Sequence, residues 1–196
     1  MTEVVTDRVP SSQRLVPGSI NIPMAPWPTT DDIKEATIDA VTVSSRIIDS
    51  FNQALENNDY GALAELFLDG GYWRDQLALT WDFRTAKGRD AIQNLLQQGH
   101  HLIKVDIDNS PTHGPQLMPM RYDSSVRGIL FYTLVTTKVG SGRGTVRLIQ
   151  DNGTWKIWVM TTAMLELKDH KEALGPNRAI GVQHGAEVGR KNVSGP

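Results

Sequence analysis

One carboxylate stands in an otherwise apolar row of the run Phe67-Leu68-Asp69-Gly70-Gly71-Tyr72-Trp73-Arg74-Asp75-Gln76-Leu77-Ala78-Leu79-Thr80-Trp81-Asp82-Phe83. If residues 72–83 form a strand, every second residue from Trp73 shares a face: Trp73, Asp75, Leu77, Leu79, Trp81 and Phe83. An acid among aromatic and aliphatic side chains loses hydration, its charged form is disfavoured, and its pKa rises toward the range useful for proton transfer. Asp75 is therefore a candidate general base, with Trp73 and Trp81 as walls of a ligand cavity. The alternative is structural: an Asp at a strand edge or bulge that pairs with Arg74, Arg84 or Arg89, with the tryptophans as core filling.

Other candidate groups are more isolated. His100 and His101 follow a helix, where an imidazole serves as an acid, here His100, or caps the last carbonyls. Tyr132 and Trp158 fall on one or other face of their strands by parity alone, as ligand contacts or as packing. His113 and His184 have no partners at ligand spacing, so no metal is expected. No Ser occupies a strand-turn-helix elbow, which leaves a serine triad unsupported.

The elements that must position these groups follow from spacing. Residues 1–30 hold five of the ten prolines and read as an irregular arm. Thr30-Asp31-Asp32 supplies helix-start signals, and Ile47, Ile48, Phe51 and Leu55 form an apolar stripe, giving a helix over 44–57 that extends back toward 32. Asp59 caps a short second helix with Leu63, Leu66 and Phe67, which Asp69-Gly70-Gly71 ends. The strand over 72–83 comes next, then a third helix over 91–98 with Ile92, Leu95 and Leu96 on one side, and a weak strand over 100–108. Residues 109–124 read as a loop. Gly128 to Val139, Thr145 to Gln150 and Trp155 to Met164 form an antiparallel meander, turning at the glycine-rich 140–144 and at Asn152-Gly153. Residues 168–196 read as a linker-like tail.

This order predicts an α+β class with one domain over 31–167: a curved antiparallel sheet with helices on its concave face, a cone holding one small ligand, into which Asp75 points. Length and composition agree, since 196 residues with 39% hydrophobic content make one core. A formal charge of −2 provides no basic excess for nucleic acid. Cysteine is absent, which excludes disulfides and thiolate chemistry. Without a signal-peptide pattern or a membrane-length apolar run, a soluble, cytoplasmic protein is expected.

Residues 44–167 resemble the nuclear transport factor 2-like superfamily, which includes SnoaL-like cyclases, scytalone dehydratase and ketosteroid isomerase. The run from Gly71 to Thr85 followed by Gly88-Arg89-Asp90-Ala91-Ile92 is similar to the amino-terminal domain of flavin-containing monooxygenases of fungi and bacteria. The stretch Gly175-Pro176-Asn177-Arg178 through Gly189-Arg190-Lys191-Asn192 resembles the connector into their flavin domain. Gly140-Ser141-Gly142-Arg143-Gly144 lacks the spacing of a dinucleotide fingerprint, so no cofactor is expected, neither FAD nor NADPH. The resemblance implies a module in secondary metabolism that binds a small apolar ligand of polyketide or terpenoid type, or a flavoprotein partner in trans. It equally fits a free-standing dehydratase, cyclase or isomerase with Asp75 as base, or a dimerising scaffold whose outer sheet face carries Leu130, Tyr132, Leu134 and Trp158. Against the isomerase pattern, Phe51 stands nearest the place of a donor tyrosine and cannot donate, and no acid occurs over 128–150 to serve as the second donor.

Overall fold

The computed structural model describes residues 27–28, 37–99 and 102–170. The expectations for the arm, the tail, His100, His101 and His184 fall outside the described residues, Trp27, Pro28 and 168–170 apart.

Helix α1 spans Ala40–Glu56. Asp39 is its cap: its carboxylate accepts from the N–H groups of Val41 and Thr42 at 3.1 Å and from the Thr42 hydroxyl at 2.6 Å, while Thr30-Asp31-Asp32 lies outside the described residues. Helix α2 is a short turn, Tyr60–Glu65, capped by Asp59 as its side chain predicts. Leu66 and Phe67 lie beyond it, and Phe67 already starts strand β1, Phe67–Gln76. Asp69-Gly70-Gly71, a predicted helix stop, instead lies in a bulged part of that strand.

The predicted strand over 72–83 is in fact a hairpin. β1 stops at Gln76, residues 77–82 form a loop, and the chain returns as β2, Phe83–Lys87, antiparallel to β1 with Asp75 opposite Arg84. Helix α3, Arg89–Gln98, then carries Ile92, Leu95 and Leu96 into the core as expected. Strand β3 is Leu102–Ile107. The loop over 109–124 contains a short strand, β4, Gln116–Pro119. The meander is β5, Arg127–Thr137, β6, Gly140–Asp151, and β7, Thr154–Leu167.

These strands form one seven-stranded sheet in the order β2-β1-β7-β6-β5-β3, with β4 beside β5. All pairs are antiparallel except β1 with β7. The α+β class and the curved sheet are as the sequence predicts. Gly140, Gly142 and Gly144, expected as a turn, are strand residues. A Cβ on any of them would run into the β7 carbonyl oxygens of Glu166, Ala163 and Thr161, so only missing side chains let β6 bend this closely over β7.

The concave face is packed. Phe51 of α1, Phe67 and Trp73 of β1, Leu63 of α2, Ile92 of α3 and Phe131 of β5 are all completely buried. Trp73 stacks on Phe67 at 5.8 Å and tilts against Phe51 at 5.6 Å. Burying each such side chain stabilises by about 1.5–3 kcal/mol. Asn52 of α1 supports the sheet edge, donating to the Val105 carbonyl at 2.7 Å and accepting from its N–H at 3.0 Å, as a neighbouring strand would.

Candidate functional site

β1 turns Trp73 and Asp75 inward together, as period-2 alternation predicts, and both are completely buried. Beyond Gln76 the alternation ends. Leu77 has a left-handed backbone, φ 67°, which costs a non-glycine residue about 1 kcal/mol or more. The loop that follows folds back so that Ala78 and Leu79 are buried, Leu79 beside Gly99 at the end of α3. Trp81 and Phe83 are 60% and 62% exposed. They do not share the face of Asp75, because the turn at Leu77 resets the direction of every side chain after it.

Asp75 holds this loop. Its Oδ1 accepts from the N–H groups of Ala78 and Leu79 at 3.1 Å and from the Thr162 hydroxyl at 2.9 Å. Its Oδ2 accepts from the N–H groups of Leu79 at 3.1 Å and Thr80 at 3.2 Å, with the Thr80 hydroxyl at 3.5 Å. Thr162 stands opposite Asp75 on β7 and itself accepts from the Trp73 indole N–H at 3.0 Å. The result is a relay from indole through hydroxyl to carboxylate, with the carboxylate acceptor sites occupied by the protein's own donors. The arginines weighed as partners lie elsewhere: Arg74 donates to the Thr85 hydroxyl at 2.9 Å, Arg84 reaches Gln98 and Asp82, and Arg89 binds Glu65 and Asp69 at 2.9 and 2.8 Å.

Of the other predicted site residues, Phe51 lies in the inner core against Trp73. Tyr132 and Trp158 point to the convex face, away from Asp75. Tyr132 is 37% exposed, while Thr133 beside it is buried on the concave side. Trp158 sits at an irregularity in the β6–β7 pairing and packs with Val126 and Ile149, covered by Trp27 at 5.2 Å. The structure therefore joins Trp73, Phe51 and Asp75 and separates Trp81, Tyr132 and Trp158 from them.

A cavity of about 480 Å³ lies at the far end of the sheet, lined by Ile103, Thr136, Thr137, Glu166 and Leu167 among others. Among the described residues, none of the predicted site residues lines it.

Two groups were not anticipated. His113 Nδ1 meets Asp108 Oδ2 at 2.8 Å and the Ser110 hydroxyl at 3.0 Å, and its ring lies 4.5 Å from that of Tyr132. The Ser110 N–H, first, and His113 hold the Asp108 carboxyl below the usual carboxylate range. Both partners reach the same imidazole nitrogen, so this is not a nucleophile triad. Asp108 followed two residues later by Ser110 is a side-chain turn signal readable in sequence. The second group is Arg143 and Arg147 on β6, whose side chains make no hydrogen bond or ion pair among the described residues. Assigning 140–144 to a turn hid their shared face. Among the described residues no group of three or more metal-binding side chains occurs, and no helix is long and apolar enough to cross a membrane.

No protein-family model matches this chain, and no curated protein matches it. Among solved structures, the chain is similar to ActVI-ORFA from Streptomyces coelicolor at 14% identity over 63% of this chain and 95% of that one, TM-score 0.46. It is also similar to a nuclear transport factor 2-like protein with a cystatin-like fold from Novosphingobium aromaticivorans, at 15% identity over 65% and 82% of the two chains, TM-score 0.43. A domain of unknown function with a cystatin-like fold from Nostoc punctiforme is similar at 12% identity over 65% and 80%, TM-score 0.47. Each likeness is one of chain course, at identities that carry no side-chain role across.

Proposed function

We propose that this chain is a non-catalytic accessory module, of the kind it resembles at the front of flavin monooxygenases, and that it meets its ligand or partner at its surface. The observation that carries this reading is the occupancy of Asp75. A general base needs a free lone pair aimed at the substrate proton, and here five donor groups from the loop and Thr162 surround both oxygens. The aromatic side chains of the same inner face, Phe51, Phe67 and Trp73, pack on one another.

Asp75→Asn separates the two readings. In a module, the new amide places N–H groups against the N–H groups of Leu79 or Thr80, and stability measured by urea unfolding falls by about 2–3 kcal/mol, the scale of a lost charged hydrogen bond with a buried donor left over. In an enzyme that strains its fold to keep a buried base, the same change leaves stability unchanged or raises it. That outcome would return Asp75 to catalysis.

A second, narrower reading concerns a small ligand in the sheet-end cavity. Its volume lies in the range of small-molecule sites, and Ile103 and Leu167 beside Thr136 and Glu166 suit an amphipathic molecule.

A further inference from the structure

The convex face of the sheet gathers cations although the whole chain is net acidic, at −2. Arg143 stands between Leu134 and Ala163 on the neighbouring strands, Arg147 between Leu130 and Val159, and Arg74 between Thr85 and Thr161. No carboxylate adjoins any of them in these rows. Asp106, an acid on the same face, is already bound by Lys104 at 2.7 Å. Tyr132, at the middle of the patch, is backed by the His113 ring. Arginines spaced among leucines and a tyrosine are the composition of protein interfaces, where the apolar residues supply area and the guanidinium forks select carboxylates.

We infer that this face docks an acidic segment of a partner protein, through Arg74, Arg143 and Arg147 around Tyr132. The inference rests on the reading of the chain as a binding module and names the partner's chemistry. The surface is an open sheet rather than a concave site, and exposed ion pairs are individually weak, so useful affinity requires a partner that engages several arginines together. A second copy of this chain fits poorly, because symmetric pairing of the face sets arginines against arginines. A phosphodiester backbone makes no use of Leu130 and Leu134, and the net-acidic remainder of the chain repels it.

The test uses the full chain and a labelled random copolymer of glutamate and tyrosine, followed by fluorescence anisotropy at low and physiological salt. The expected result is binding that weakens on adding salt and that falls about tenfold in the Arg143→Gln/Arg147→Gln double variant, the scale of two screened ion pairs. The thermal midpoint of the double variant is expected to stay at the parental value, which shows an intact fold. Light scattering is expected to give a monomer. Copolymer binding that is absent, or unchanged in the double variant, overturns the inference, as does preferential binding of duplex DNA or phosphatidylserine vesicles, or a dimer that the same substitutions dissociate. These outcomes leave the module reading standing, since that reading fails on Asp75→Asn unfolding instead.

Discussion

The two faces of the sheet are written in alternate residues of the same strands, yet they obey different rules. Inward, Trp73, Asp75, Phe131 and Thr162 are buried and each polar atom of Asp75 and Thr162 has a partner inside the protein. Outward, one residue along, Arg74, Tyr132 and Arg147 are held loosely or by single contacts. The comparison shows that a polar residue in an apolar pattern is ambiguous until its donors are counted. Asp75 has the sequence signature of a pocket acid and the geometry of a loop clamp.

The largest expected effect lies on the inner face. Trp73→Ala removes a fully buried indole and the donor to Thr162, and should lower unfolding free energy by about 3–5 kcal/mol. A loss under about 1 kcal/mol by urea unfolding would show that the concave face tolerates an empty chamber, and would revive the ligand cone. Asp75→Asn comes next, at the 2–3 kcal/mol scale given above for the clamp. Asn52→Ala tests whether the edge of the sheet depends on the helix: it strips the Val105 N–H and C=O of their partners and should cost about 1–2 kcal/mol, with faster hydrogen exchange confined to β3.

Acid sharpens the comparison from the outer side. The Thr42 hydroxyl, first, and the Thr42 N–H lower the Asp39 carboxyl, and the Ser110 N–H, first, lowers that of Asp108. A carboxyl with a lower pKa folded than unfolded binds its proton more readily in the unfolded chain, so its contribution is complete above the unfolded value of about 3.9 and is lost as pH falls through the folded value. The urea midpoint should therefore decline below about pH 4, and less steeply in an Asp39→Asn/Asp108→Asn variant. An equally steep decline in that variant would show that Asp39 and Asp108 do not carry the acid sensitivity.

Sequence made the sheet class, the Asn152-Gly153 hairpin and the α3 stripe legible, because each depends on local spacing. The shared burial of Trp73 and Asp75 was legible for the same reason. The site beyond Gln76 was not, since Leu77 adopts a positive φ that no glycine announces and the apolar alternation of the sequence runs straight through it. Nor was the length of β6, because glycines at 140, 142 and 144 signal turns in most settings, and their use here depends on how closely β7 approaches. His113 lacked sequence neighbours at metal spacing and gained its partner, Asp108, from the turn between them.

Those three glycines have a consequence for how the protein can vary. Along the first half of β6, positions 140, 142 and 144 admit no side chain, while Ser141, Arg143 and Thr145 alternate with them on the opposite face. The strand is thus spelled in two alphabets, one of a single letter that permits the close approach to β7 and one that admits side chains of different kinds. Substitutions on the outer face can accumulate without disturbing the glycine contacts that seat β6 on β7.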